Sequence, residues 1–436
     1  MQLRKSRVPQ FLDVQAWRRN SNAVWGDYYS SSGTQDQVPN RSLYFLFQRE
    51  QLFQLGTGFR VKYGALLDPD VKPVFRTESQ DRMLKSALNF AAGFFGIPYE
   101  EQYHQLITLE WPGLNNTLSP YSQFFRSPPR PPLTHSFAIN PVTCKNANRG
   151  DLNLSRQKLP EWIAIYLKDA LVRLQAEIEG FELTLADLFN MQQMAAYEVV
   201  ALGGSRFGDI FTEEEWEGFE YGMDLLFWYG YSFGNPAQAA VGLGWVQEWL
   251  ARVTRVPIIE FNSTTNSSYH TSEYFPFNQK IYVDATHDTS LSPLFCHPLS
   301  FLATNAPRTV ISAIITTLNF ASFASSGPLP SNFVPKNRSF DTSRIAPFAA
   351  NLVSQIMSSP GKTTSGKAVR WLLNDGVVPL DHIEGCGKDG LCDLDVFVEA
   401  TRNAANEIDW AHDCLSPYTI EEGDAPILDG RPPKRK

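Results

Sequence analysis

Basic residues are in short supply in this sequence, with 38 Lys and Arg against 46 Asp and Glu and a formal net charge of −8. With a pI near 5.5 and no basic stripe, a nucleic-acid partner is argued against, and an anionic ligand would need a local cationic pocket. Long hydrophobic runs are lacking too. No apolar stretch approaches the roughly 18 residues needed to cross a bilayer, which argues against a membrane-spanning chain. Met1 to Val14 has no apolar core of a secretion signal, so no export address is expected from these residues. Runs of like charge and low-complexity repeats are missing, which excludes extensive disorder away from the ends. What is present is globular composition, 43% hydrophobic and 13% aromatic over 436 residues. That is enough to bury a substantial core as two domains or as one domain with a large insertion.

Cysteine is limited to five residues. Cys386 and Cys392 flank Gly387-Lys388-Asp389-Gly390, a short loop that a disulfide could close, and Cys144 and Cys414 could form a long-range bridge, leaving Cys296 odd. Five reduced, mostly buried thiols are the alternative. Six Asn-x-Ser/Thr sequons, at Asn40, Asn115, Asn153, Asn262, Asn266 and Asn337, speak for an exported ancestry.

Leu52, Leu55, Phe59 and Tyr63 recur at helical spacing before a stop at Gly64. Val71-Lys72-Pro73-Val74-Phe75 then reads as a short buried strand, and Thr77-x-x-Gln80 has the form of a capping box opening a helix that ends near Gly93 or Gly96. This order places Arg76 between a strand's carboxyl end and a helix's amino end, where open α/β sheets put ligands and helix N–H groups favour anions. From about 105 to 265 helices dominate. Pro160 suits a first helical turn, Ile163, Leu167, Leu171, Leu174 and Ile178 form one apolar stripe, and Thr212-x-x-Glu215 opens an aromatic-rich helix. Gly242-Leu243-Gly244 lacks the third glycine of a nucleotide fingerprint and sits in a helical pattern, so close helix packing is its reading.

A strand pattern from Gln279 to Asp284 delivers His287 and Asp288 at its end. Asn374-Asp375-Gly376 between two apolar runs signals a hairpin, and a final helix from Leu394 to about Trp410 precedes Cys414. The pattern predicts an α/β fold interrupted by helices. Residues 1–40 are unassigned, 41–105 form the first part of the core, 106–265 a helical insertion, and 266–436 the second part of the core with the hairpin and last helix.

Phosphoryl transfer needs cations around the nonbridging oxygens, an in-line nucleophile and an acid for the leaving oxygen. Arg76 fits the first role, because guanidinium is planar, permanently charged and matched to phosphate. Taken singly, Arg76 would be a surface charge, His287 a structural histidine and Asp288 a cap or turn residue. The surrounding sequence changes that weighing. Phe75-Arg76-Thr77-Glu78-Ser79-Gln80-Asp81-Arg82-Met83, continued by Ser86 to Gly96, closely resembles the fungal histidine acid phosphatases, the branch that includes phytases. Tyr282 to Thr289 is similar to the same family's His-Asp element, and the resemblance extends over most residues from about 45 onward.

The resemblance implies a phosphoglycerate-mutase-like α/β core sheet flanked by helices, with a large, mostly helical inserted domain. It also implies a small phosphomonoester substrate and no metal or other cofactor. In it Arg76 clamps phosphate, His287 hydrogen-bonds a phosphoryl oxygen, and Asp288 protonates the departing alcohol. The family's nucleophile, the histidine of Arg-His-Gly-x-Arg-x-Pro, belongs upstream of Arg76, where this sequence has no histidine; its first is His104. Loss of such a nucleophile removes on the order of a millionfold in rate, so these residues alone are expected to be nearly inert. Ser290 to Arg308, with Cys296 and His297, interrupts the family pattern and reads as translated intron or, alternatively, as a loop inserted over the site. The first 40 residues suggest a misplaced start. The competing expectation is an inactive phosphatase-like protein that keeps Arg76 and His287 to hold an anion.

Overall fold

A computed structural model of the chain describes residues 41–109, 115–120, 144–286, 310–359, 366–421 and 425–433. The described chain opens with helix α1 (Arg41–Tyr63), whose Leu52, Leu55 and Phe59 pack on the sheet-facing cluster of Phe75, Phe90, Phe94 and Tyr103. Strand β1 (Val74–Glu78) follows, buried along its whole length, and then α2 (Asp81–Phe95). Helices α1 and α2 approach closely because two glycines permit it. A Cβ on Gly56 would stand 2.1 Å from the Phe90 carbonyl oxygen, and one on Gly93 would stand 2.0 Å from that of Phe53.

β1 is the middle strand of a parallel sheet, between β2 (His104–Thr108) and β3 (Val283–Asp284). Arg76 is in register with Leu106 on one side and Asp284 on the other. These partners correct the expected boundary. The strand runs on through Thr77 and Glu78, so Arg76 sits in mid-strand, and Gln80 precedes α2 without a side-chain cap. Pairing with Ile107 of β2 keeps Thr77 extended and out of the capping box its spacing suggested.

A helical layer comprises α3 (Ser155–Tyr166), α4 (Lys168–Gln175), α5 (Leu185–Leu202) and α6 (Glu213–Tyr231). Ile163, Leu167, Leu174, Leu188 and Phe189 form its core. Pro160 lies inside α3 rather than in its first turn, because the helix already begins at Ser155. The capping box of Thr212 and Glu215 at the start of α6 is formed. The next helix, α7 (Gln238–Thr254), crosses α8 (Val310–Thr317) where Gly242 stands; a Cβ there would meet Thr317 Oγ1 at 2.3 Å and the Ala313 carbonyl oxygen at 2.6 Å. Close packing is thus the role of this glycine.

After the short helix α9 (Thr342–Ile345), a second, antiparallel sheet is built from β4 (Leu352–Ser358), β5 (Lys367–Leu373) and β6 (Gly376–Val377), with β7 (Cys392–Asp393) also paired to β5. The β5–β6 hairpin turns at Asn374 and Asp375, with φ of 49° and 67° as a primed two-residue turn demands. The expected final helix is divided into α10 (Leu394–Asn406) and α11 (Trp410–Leu415). Trp228, Phe320, Phe340, Trp371 and Phe397 belong to the large core shared by the helices and this sheet.

Both cysteine pairs are bridged, Cys386 to Cys392 and Cys144 to Cys414 across 270 residues. The sequons divide by exposure. Asn262 and Asn337 are exposed, whereas Asn153 is buried and donates to the Ala147 carbonyl. Asn115 and Asn266 likewise commit their amide nitrogens to backbone carbonyls. Asn40 lies outside the described residues.

Candidate active site

Alternation along β1 directs Arg76 and Glu78 to one face, and the parallel neighbour β3 brings Asp284 and Thr286 beside them. The Ala285 amide donates to the Arg76 carbonyl at 2.8 Å, and Thr77 Oγ1 donates to the Ala285 carbonyl at 3.2 Å. Thr286 Oγ1 donates to Glu78 Oε1 at 2.8 Å. Two segments 208 residues apart are therefore stitched together up to the residue before His287. His287 and Asp288 themselves lie outside the described residues, as do Cys296, His297 and the rest of 290–308.

Arg76 is only 3% exposed and is held by two carboxylates. Its Nε donates to Asp284 Oδ1 at 2.7 Å, and its Nη2 donates to Asp284 Oδ2 at 2.8 Å and to Glu248 Oε2 at 2.7 Å. Among the described residues none bonds Nη1. A guanidinium has five N–H donors, and three are used here, so one edge, with two donors, is left for another acceptor. Charged N–H donors in the plane of a guanidinium match phosphate oxygens, which makes that edge a ready oxyanion contact.

The carboxylates come from β3 and α7. On α7, Glu248 and Arg252 are four residues apart and so share a face, with Trp245 one turn earlier. Arg252 docks on Asp284 through Nη1 to Oδ2 at 2.7 Å and Nη2 to Oδ1 at 3.0 Å, and Trp245 Nε1 donates to Oδ2 at 3.0 Å. Glu248 also accepts from Thr117 Oγ1 at 2.9 Å and pairs with His270 Nε2 at 2.9 Å. The Phe275 ring lies against both arginines, 5.4 Å from Arg76 and 4.9 Å from Arg252, and stacks on His270.

Burial works to push both carboxyls up, but the arginines prevail. Arg252 and Arg76 hold Asp284 well below the usual carboxylate range. Arg76, with the hydrogen bond from His270, holds Glu248 down at about 2. Burial also opposes the charge on Arg76, and Asp284 and Glu248 outweigh it, raising its pKa above the ordinary arginine value. Asp284 and Glu248 are therefore held as carboxylates beside the charged Arg76 guanidinium.

Sequence reasoning singled out Arg76 and missed Asp284, Glu248, Arg252 and His270 as its company. The only available signal was the Glu248-x-x-x-Arg252 spacing on a helix otherwise apolar on that side.

Residues 47–374 match the family described as the histidine phosphatase superfamily (branch 2). The chain belongs to this superfamily. The matched range contains Arg76 and the His287-Asp288 pair. Among relatives, Phytase A of Aspergillus terreus is 28% identical over 378 residues, covering 85% of this chain and 72% of the relative. Phytase A of Penicillium oxalicum is 28% identical over 425 residues, covering 91% and 79%. The crystal structure of the phytase from D. castellii superposes with a TM-score of 0.61 at 20% identity, covering 91% of this chain and 77% of that one, a likeness of fold. As a histidine phosphatase, the chain has its mixed α/β core and helical layer explained by kinship. Among the described residues, no helix is long and apolar enough to cross a membrane.

Proposed function

We propose that this chain carries a phosphomonoester-hydrolase site of the acid phosphatase and phytase type, with Arg76 as the phosphate clamp. The observation that carries the reading is a doubly anchored guanidinium whose Nη1 edge no described residue bonds, beside the strand that leads into His287 and Asp288. His287 then hydrogen-bonds a phosphoryl oxygen, and Asp288 gives its proton to the leaving alcohol, which keeps an alkoxide from having to depart. The substrate is a small phosphate ester, with inositol hexakisphosphate a candidate because the relatives named above are phytases. Two disulfides and the exposed sequons at Asn262 and Asn337 support a secreted, glycosylated product.

The nucleophilic histidine has no counterpart upstream of Arg76 in the 436 residues. The chain as given is thus expected to bind inorganic phosphate but to hydrolyse p-nitrophenyl phosphate on the order of a millionfold more slowly than a phytase assayed alongside. A second reading is an anion-binding protein without turnover that keeps Arg76 and His287 to hold its ligand. Sequencing the full-length transcript separates the two: an upstream Arg-His-Gly supports the hydrolase, and a transcript encoding this chain unchanged supports the binder. Failure to bind phosphate would remove both.

A further inference from the structure

Asp284 accepts five hydrogen bonds, two from Arg76, two from Arg252 and one from Trp245. A buried carboxylate serving one arginine could turn about its terminal torsion and let that guanidinium slide; a second fork and an indole N–H fix its plane. Arg252 is itself immobilised, its Cζ 4.9 Å from the ring centroids of both Phe275 and Tyr282 and its side chain 8% exposed.

We propose that Arg252 is a positioning residue for Arg76: by locking the Asp284 carboxylate it determines which guanidinium edge meets the phosphoryl oxygens. This rests on the phosphate-clamp reading above. Arg252 has a second, electrostatic consequence. With it, the cluster holds two arginines beside Asp284 and Glu248; without it, one permanent cation fewer faces the two carboxylates, and the attraction for an incoming phosphate weakens. Glu248, braced by Thr117 and His270, fills the remaining Nη2 donor, so the alignment is constrained from both β3 and α7.

The test is calorimetric titration of the 436-residue chain with inorganic phosphate, alone and with substitutions. Arg76→Gln should abolish binding. Arg252→Lys, which keeps the charge and loses the fork, should weaken binding at least tenfold. Arg252→Ala should weaken it at least a hundredfold, with about tenfold recovered in millimolar guanidinium, a rescue that a purely structural role would not produce. Binding by both Arg252 variants within twofold of the parent, while Arg76→Gln has lost it, would overturn the proposal and leave the clamp intact. Parental binding by Arg76→Gln would overturn the clamp and the proposal together. Should the Arg252 variants fail to fold, nitrogen NMR of arginine side chains in the parent decides. Retention of a slowly exchanging Arg76 Nε–H through phosphate addition supports the locked geometry, and its loss overturns it.

Discussion

At the parallel sheet, Asp284 faces two arginines; in the helical layer, Asp224 on α6 faces one. Both side chains are buried, yet their acidities move in opposite directions. Asp224 is fully buried and accepts from Arg338 Nε at 2.5 Å and from the Thr342 amide at 2.7 Å. Arg338 is 21% exposed and shared with Glu220, and desolvation prevails, pushing Asp224 up to about 6. Asp284 has two buried forks and an indole donor, and its pKa is held down. The difference teaches that the number and burial of partners, more than burial of the acid itself, decides whether an interior carboxyl is a permanent charge or a titrating one.

The largest break in this comparison is Arg76→Gln. Removing one partner from a buried ionic cluster leaves an excess anion, so we expect a loss of about 3–5 kcal/mol in urea unfolding together with loss of phosphate binding.

The pH dependence comes next. Asp224 binds its proton more tightly folded than unfolded. Its contribution therefore favours the folded state below its ordinary value of 3.8 and is lost as the pH rises through about 6. Glu248 has the opposite sign, stabilising above 4.5 and ceasing to do so as the pH falls toward about 2. The rise of the Asp224 pKa from 3.8 to about 6 corresponds to about 3 kcal/mol. Melting temperatures measured from pH 3 to about pH 7 should show this slope in the parent, and Asp224→Asn should flatten it only in the Asp224 window.

Gly242→Ala sharpens the comparison from the helix that carries Glu248 and Arg252. The added methyl collides with Thr317 and the α8 backbone, costing about 1–3 kcal/mol and weakening phosphate binding as α7 shifts. Thr212→Ala, at the capped start of the helix that carries Asp224, should cost only about 1 kcal/mol and leave phosphate binding unchanged. Chemical denaturation paired with phosphate titration reads both.

Much of the local structure was legible. The Thr212 capping box, the Asn374-Asp375 turn and the packing role of Gly242 each depend on a few neighbouring residues or on the absence of a side chain, and such signals survive in a linear pattern. Strands β2 and β4 were missed. β2, His-Gln-Leu-Ile-Thr, is a half-exposed edge strand with no strong apolar alternation, and its conformation comes from pairing with β1. The same pairing extended β1 past its expected end and moved Arg76 from a strand terminus into mid-strand.

By itself the sequence pointed to the family, through the segments around Arg76 and His287, and it determined the Thr212 capping box and the hairpin chemistry; the two cysteine pairs it offered as possible are bridged in the fold. It also singled out Arg76, through the family resemblance of the segment around it rather than through the arginine alone. Only the tertiary structure decided what that cation can do. Its partners lie 172 and 208 residues away, and neither their distance nor the burial that makes their charges matter is encoded in spacing along the chain. Register between parallel strands brings Asp284 alongside Arg76, and the face of α7 adds Glu248 and Arg252, so that among the described residues one guanidinium edge has no partner. Electrostatics acts through space and depends on solvent exclusion, so it becomes readable only once the chain has folded.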